Sequence, residues 1–391
     1  MAPPRLAKTH RSRPRPPFDC IALLLQGGGA LGAYQAGVYE ALAEADLHPD
    51  WIAGISIGAI NAALIAGNAP RERVDKLRRF WEGITARPVP LPPVDLYPGA
   101  MRGDAARSFL NQMSAARALF EGVPGFFAPR LPGPWFEPPG SPAATSFYDT
   151  RSLRSTLEAL VDFDRINRDE TRLSVGAVNV RSGNFTYFDT ETHEIAPEHI
   201  MASGALPPGF PAVEIDGEHY WDGGLLSNTP LQWVVQASGT RQDTLAFQVD
   251  LWSAVGDFPR DLGEVAVRQK EIQFSSRTRA NTDQFKRLQR LRAALAELLG
   301  KLPPDLAASE EAEILRPAAD RKVYNVVHLI YRSKNYEGHS KDYEFSRRSM
   351  EEHWRAGYHD AVRTLRHPEI LDRPRTLDGV ATFDLTRDAR D

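Results

Sequence analysis

Cysteine is almost absent from this sequence, since Cys20 is the only one among 391 residues. A single cysteine excludes an intramolecular disulfide framework and a zinc site built on cysteines, and it suits a reducing compartment. None of the ten histidines stands in a spacing typical of metal ligands. We therefore expect a cytoplasmic protein without a metal site.

Long apolar runs and an excess of one charge are also missing. No window reaches 18 consecutive apolar residues, so no membrane-spanning segment is predicted. Residues 1–18 are basic, but no apolar signal-peptide core follows them, so we expect a disordered basic tail there. The chain carries 47 basic and 51 acidic residues, a balance that gives no indication of a nucleic-acid partner.

A serine between two glycines stands at the centre of residues 51–67, WIAGISIGAINAALIAG. Residues 51–53 predict the end of a buried strand, and residues 58–64 predict the start of a helix. Gly54 and Gly58 flank Ser56 where a side chain would collide as the strand turns into the helix. The pattern predicts an elbow that presents the serine hydroxyl beside a helix N-terminus. An ordinary tight turn that happens to contain a serine is the alternative.

A glycine-rich loop, GGGALG at residues 27–32, follows a predicted buried strand at residues 21–26. A right-handed crossover through the next helix would bring this loop and the serine to the same edge of a parallel sheet. We expect the amides of Gly27, Gly28 and Gly29 to form an oxyanion hole there. Gly32 completes a G-x-G-x-x-G pattern, so a nucleotide-binding module is an alternative. That alternative lacks the ribose-binding acid expected after the second strand.

Asp222 ends a predicted short strand at residues 218–221 and is followed by Gly223 and Gly224. The two glycines permit close backbone approach, so the carboxylate can face a partner in a crowded cleft. Asp-Gly is also a common turn dipeptide. Beside a serine elbow and a glycine loop, Asp222 becomes the candidate base for the nucleophile. A serine–acid–histidine triad that uses His339 is the alternative.

The motifs GGGALG, GISIG and DGG, in this order, resemble the patatin-like phospholipases over roughly residues 20–235. The resemblance implies a three-layer α/β fold, in which helices cover both faces of a mostly parallel sheet. It also implies a lipid acyl hydrolase with Ser56 as nucleophile and Asp222 as proton acceptor. This acyl-enzyme chemistry is expected to need neither a metal nor an organic cofactor. Residues 201–207, MASGALP, resemble the segment that precedes the family's aspartate. Leu31 departs from the family pattern, where many members have Arg or Lys.

The resemblance divides the chain into a catalytic region at residues 19–235, an extension at 236–365 that completes the domain, and a loosely attached tail at 366–391. Residues 87–142 are rich in proline, glycine and scattered aromatics, so we expect an irregular insertion without long helix. An apolar cap over the site is the favoured role for it, and an inert surface segment is the alternative.

The expected partners are a lipid or acyl-ester substrate and, transiently, a membrane surface. Residues 263–301 predict helix with a basic face, which indicates a solvated surface, with membrane docking as the alternative. Polyester-like acyl esters are alternative substrates. A lipid-binding scaffold without activity is the alternative to an enzyme.

Overall fold

The computed structural model describes residues 6–11, 14–85, 104–168, 170–236, 242–275, 278–334, 336–376 and 379–385. The strands are β1 (Cys20–Leu25), β2 (Trp51–Ile55), β3 (Ala128–Pro129), β4 (Tyr148–Asp149), β5 (Arg172–Asn179), β6 (Phe185–Asp189), β7 (Val213–Ile215), β8 (Glu218–Asp222), β9 (Thr244–Asp250), β10 (Tyr324–Ile330) and β11 (Val380–Phe383).

The helices are α1 (Ala33–Glu44), α2 (Ile57–Ala66), α3 (Arg73–Ile84), α4 (Asp104–Glu121), α5 (Arg151–Leu160), α6 (Phe163–Ile166), α7 (Pro197–Ser203), α8 (Leu231–Gln236), α9 (Leu262–Phe274), α10 (Thr278–Leu299), α11 (Pro304–Ala307), α12 (Glu310–Leu315) and α13 (Arg347–Leu365). None of these helices is long and apolar enough to cross a membrane.

Nine strands form one sheet in the order β11-β10-β9-β1-β2-β5-β8-β7, with β6 paired to β5. Neighbours from β11 to β5 are parallel, and β6, β7 and β8 pair antiparallel. All six residues of β1 are buried, which agrees with the prediction of a buried strand from its continuous apolar run. The mostly parallel α/β sheet expected from the sequence is confirmed.

Strand β1 contributes to two hydrophobic cores, one on each face of the sheet. Ile21, Leu23 and Leu25 share a cluster with residues of α1, α2 and α13. Cys20, Ala22 and Leu24 share a second cluster with residues of α8 and α10. Because successive side chains of a strand point to opposite faces, helices cover the sheet on both sides. The predicted three-layer arrangement is confirmed.

The insertion differs from the expectation of irregular structure. Helix α4 spans 18 residues within it, since residues 104–121 contain neither proline nor glycine to oppose a helix. Phe126 and Phe127 are buried in the core, while Phe120, Trp135 and Phe136 are exposed. Residues 87–103 lie outside the described part of the chain.

The described parts of both predicted tails are more closely packed than the sequence predicts. His10, expected in a disordered tail, is buried and its Nε2 lies 2.7 Å from the Glu44 carboxylate on α1. The Ala7 amide donates to the Arg366 carbonyl at 2.8 Å. At the other end, Ile370 is fully buried and β11 forms the parallel edge of the sheet beside β10. Pairing between distant segments stabilises the described parts of both predicted tails.

Residues beyond 236 supply the centre and one edge of the sheet. Strand β9 pairs with β1 on one side and β10 on the other. The helical stretch expected at residues 263–301 consists of two helices, α9 and α10. The face of α10 that packs contains the buried Thr282, Phe285 and Gln289, while Leu291 and Leu298 are exposed.

Candidate active site

Ser56 occupies a strained backbone position between β2 and α2. Its φ is 56° and its ψ is −124°, a region that residues other than glycine rarely adopt and that marks a nucleophile elbow. A Cβ at Gly54 would collide with the carbonyl of Gly58, and a Cβ at Gly58 would collide with the carbonyl of Leu25. Both flanking glycines are therefore required by close packing, as the sequence pattern predicts.

Ser203, at the end of α7, holds the elbow in place. Its buried hydroxyl accepts a hydrogen bond from the Ser56 amide at 3.0 Å and donates to the Gly176 carbonyl on β5 at 2.7 Å. The Ser56 amide is thus fixed to the sheet through one side chain. The sequence includes Ser203 in the segment that resembles the patatin-like family but gives no signal of this contact.

Strand register places Asp222 beside Ser56. Strand β2 pairs with β5 up to Ile55 opposite Gly176, and β8 pairs with β5 from Asp222 opposite Ala177. Strand β6 pairs with residues 174–178 of β5, which overlap the pairings with both β2 and β8. Because one edge of a strand can pair with only one neighbour at a given residue, β6 lies on the opposite edge of β5. Strand β8 therefore continues the same edge at the point where β2 stops. The predicted nucleophile and the predicted base meet there.

The Asp222 carboxyl is buried, with only 2% of the residue exposed. Burial raises its pKa to about 6, while the nearby Ser56 hydroxyl and the Gly224 amide partly offset that rise. The Gly224 amide donates to Oδ1 at 2.7 Å. Such a carboxyl can accept a proton near neutral pH. No histidine contributes to this shift, and His339 is exposed, with its Nδ1 3.5 Å from the Tyr343 hydroxyl.

The glycine loop adjoins Ser56, but its first amide already has a partner. A Cβ built on Gly27 would lie 3.1 Å from the Ser56 Cβ. The Gly27 amide donates to Asn228 Oδ1 at 3.1 Å, and Asn228 Nδ2 donates back to the Gly27 carbonyl at 3.0 Å. The Gly27 amide, predicted to belong to an oxyanion hole, is therefore already occupied by a protein acceptor. Within the described residues, the amides of Gly28 and Gly29 donate no hydrogen bond to another protein group.

The remaining motif glycines permit close packing around the loop. Gly29 has a φ of 55°, and a Cβ there would collide with the Asp342 carbonyl, which also accepts from the Ala30 amide at 2.8 Å. A Cβ on Gly32 would lie 2.6 Å from Ile57, and one on Gly223 would lie 2.6 Å from the Gly176 carbonyl. Leu31 is fully buried, so its side chain does not line the mouth of the site.

Buried amide side chains hold the loop from behind. The Gln35 amide donates to the Gln26 carbonyl at 2.7 Å, and Asn61 Nδ2 donates to Gln35 Oε1 at 2.9 Å. The Trp252 indole donates to the Gly27 carbonyl at 2.9 Å. Asn228 Nδ2 also donates to the Phe274 carbonyl at 2.9 Å. Because buried and satisfied polar networks rigidify their surroundings, the loop is preorganised beside Ser56.

No metal centre adjoins these groups in the described ranges, where no three His, Cys, Asp or Glu side chains are arranged to hold an ion. The site is instead a hydroxyl, a buried carboxyl and two amides at one edge of the sheet. These groups can perform nucleophilic acyl transfer without further components.

Two family models match the chain. The model described as patatin-like phospholipase matches residues 23–234, more than half of the sequence, and one described as patatin phospholipase matches residues 272–377. The first match contains the elbow, the glycine loop and the Asp222 turn. The second match covers most of the extension and the start of the predicted tail, and it contains α10, β10 and α13.

Curated relatives are similar over short stretches. Patatin-like phospholipase domain-containing protein 7 of Mus musculus is 42% identical over 69 residues, which is 17% of this chain and 5% of the relative. Lysophospholipase nte1 of Aspergillus terreus is 53% identical over 49 residues, which is 12% of this chain and 3% of that protein. The matched segments are thus a small part of much longer proteins.

Two solved structures are weakly similar. VipD from Legionella pneumophila has a TM-score of 0.39 at 14% identity, covering 96% of this chain and 73% of VipD. The type III effector ExoU has a TM-score of 0.34 at 15% identity, covering 92% of this chain and 54% of ExoU. At these scores the overlap adds nothing to the fold, which rests on the sheet order above. On the match over residues 23–234, which is more than half of the sequence, the chain belongs to the patatin-like phospholipase family.

Proposed function

We propose that this protein is a lipid acyl hydrolase that cleaves carboxylic esters through an acyl-enzyme formed on Ser56, with Asp222 as the only side-chain base. The observation that carries the proposal is the buried Asp222 carboxyl beside a serine on a strained elbow. A carboxyl with a pKa of about 6 is ionised at neutral pH and can still accept a proton during attack.

The reaction has two halves. Ser56 Oγ attacks the ester carbonyl while its proton passes to the Asp222 carboxylate, and the Gly28 and Gly29 amides donate to the developing oxyanion. Collapse of the tetrahedral intermediate expels the alcohol, which takes the proton from Asp222. A water molecule then attacks the acyl-enzyme, Asp222 takes one of its protons, and the fatty acid leaves as Ser56 regains its hydrogen.

Asn228 and Ser203 are positioning residues in this proposal. Asn228 binds both the amide and the carbonyl of Gly27, which directs that peptide away from the reacting carbonyl. The next two amides are then left for the oxyanion. Ser203 fixes the Ser56 amide to β5, so the hydroxyl retains its direction toward Asp222.

The alternatives named from the sequence have less support at this site. A triad would require a histidine at Asp222, but His339 is exposed and adjoins Tyr343. A nucleotide site on the glycine loop would need a free Gly27 amide, which Asn228 occupies. Tight binding of NAD or NADP, measured by calorimetry, would support the nucleotide-binding alternative.

Hydrolysis of p-nitrophenyl esters tests the proposal. Ser56→Ala should abolish turnover of medium- and long-chain esters in a folded protein, while Ser155→Ala, at an exposed serine of α5, should leave it unchanged. Undiminished ester hydrolysis by Ser56→Ala would exclude the proposed mechanism. A loss of about three orders of magnitude in His339→Ala would replace the dyad by a triad.

A further inference from the structure

Residues 130–147 connect β3 to β4 and expose an unusual set of apolar side chains; we refer to them as the 130–147 loop. Leu131 is 91% exposed, Trp135 79% and Phe136 81%. The loop contains only two charged residues, Arg130 and Glu137. A single exposed apolar residue needs no explanation, but a dense group with so little charge indicates an interaction surface.

The base of the loop is firmly held. The Arg130 amide donates to the Phe147 carbonyl at 2.9 Å, and the Trp135 and Phe147 rings lie 5.5 Å apart. Directly below, the buried Phe127 ring packs at 4.9 Å from Tyr148 and 5.2 Å from Phe210. The aromatics around β3 and β4 therefore form a buried base and an exposed tip. An apolar cap over a cleft would bury its aromatics, whereas these three tip residues remain in solvent.

Backbone contacts connect the loop to the catalytic edge of the sheet. The Phe147 amide donates to the Pro208 carbonyl at 3.1 Å, and the Tyr148 amide donates to the Gly209 carbonyl at 3.0 Å. That segment also contains Ala205, whose carbonyl accepts from the Asp222 amide at 3.0 Å. Leu206 is 36% exposed, and Leu225 and Leu226, just after Asp222, are 43% and 60% exposed. Exposed apolar side chains thus lie in the loop, in the segment bonded to it, and just after Asp222.

We propose that the 130–147 loop inserts Leu131, Trp135 and Phe136 into the surface of a lipid bilayer and seats the active site against it. This inference rests on the proposed function, since a lipid ester substrate is presented at such a surface. Trp and Phe favour the boundary between headgroups and acyl chains, where burial of apolar area supplies the affinity. With one charge of each sign, the loop should bind neutral lipid without electrostatic attraction.

Vesicle binding tests the proposal independently of turnover. The full chain carrying Ser56→Ala should bind phosphatidylcholine vesicles in a flotation assay, with little dependence on salt. Adding Trp135→Ala and Phe136→Ala should weaken partitioning of the protein to vesicles at least about tenfold, because both inserting rings are removed. The matched control adds Leu291→Ala and Leu298→Ala, which remove two comparably exposed side chains from α10, and it should bind as before.

Several results would overturn the proposal. Equal binding by the loop variant and the control would exclude the loop as anchor. Binding that requires anionic phosphatidylglycerol and is lost in high salt would assign the contact to the basic face of α10. A self-association that the loop variant abolishes, without vesicle binding by the parent, would make the loop a protein interface.

Activity measurements separate this inference from the proposed function. With Ser56 intact, the loop variant should hydrolyse a short soluble ester at the parent rate but vesicle lipid at least about tenfold more slowly. If the parent binds vesicles through the loop yet cleaves no ester, the proposed function fails and the surface assignment stands. If ester cleavage is normal and vesicle lipid is cleaved equally by both proteins, the surface assignment fails alone.

Discussion

At the scale of single residues, the ionised Asp222 carboxylate opposes folding. Its pKa rises from 3.8 to about 6 on burial, so the folded state disfavours the charged form. By linkage the resulting free-energy cost is absent below pH 4, grows as the pH rises to about 6, and is then constant at about 3 kcal/mol.

Asp222→Asn should therefore stabilise the protein. The amide keeps an oxygen for the Gly224 amide but carries no charge, so the free energy of unfolding at pH 8 should rise by up to about 3 kcal/mol. Urea unfolding at pH 8, 6 and 4 checks this, with the gain shrinking toward zero at pH 4. If Asp222→Asn is less stable than the parent at pH 8, or as stable as the parent at every pH, the buried charge is not disfavoured.

Asn228 offers a second test at this scale. Asn228→Ala should lower kcat for a short ester about 100-fold while changing KM little, because the residue directs the Gly27 peptide without touching substrate in the proposed mechanism. Asn68→Ala is the matched control, since that buried amide also bonds two carbonyls, those of Leu64 and Leu160. Equal losses of kcat in both variants would reduce Asn228 to a general structural role.

Sequence patterns indicated Ser56 and Asp222, which the fold brings together, but not the residues that hold the site in place. Crowding at the elbow restricts which residue types can stand at positions 54, 56 and 58, so their pattern is visible in the sequence. Asn228 and Ser203 act through side-chain contacts across more than 100 residues of chain, and a serine or asparagine near a turn has many other uses. Only the assembled sheet shows that the Gly27 amide is occupied.

At the scale of elements, the insertion combines two kinds of aromatic residue. Phe127→Ala removes a buried ring from the cluster around Phe210 and should cost about 3 to 5 kcal/mol of unfolding free energy. Phe136→Ala alters an exposed ring and should stay within about 0.5 kcal/mol. Chemical denaturation of the two variants checks the division. A comparable loss in both would mean that the tip of the loop is part of the core.

Elements were predictable where a local pattern specifies them and less so elsewhere. The apolar runs of β1, β9 and β10 and the amphipathic pattern of α5 specify strands and a helix within single windows. Helix α4 was missed because the proline and glycine content of residues 87–142 was averaged over a segment free of both at residues 104–121. Strand β11 was missed because its pairing with β10 is a contact between distant segments.

At the scale of the whole molecule, the region with the catalytic motifs is not separable from the extension. Strand β1 pairs with β9 along its full length, and α13 packs so closely on α1 that a Cβ at Gly37 would collide with the Trp354 carbonyl. A fragment of residues 1–235 should therefore lack a cooperative unfolding transition, since one side of β1 and one face of α1 would be exposed. A fragment that unfolds cooperatively and cleaves esters would show that residues 236–391 form a separate unit.

Activation of Ser56 by Asp222 is tested most directly by the pH dependence of active-site labelling. A fluorophosphonate probe should modify Ser56 alone, at a rate that rises with pH through a midpoint near 6, where the Asp222 carboxyl loses its proton. Ser56→Ala should not be labelled, and Asp222→Asn should be labelled slowly and without that midpoint. Labelling of Asp222→Asn at the parent rate, or of a different residue in the folded parent, would contradict the account.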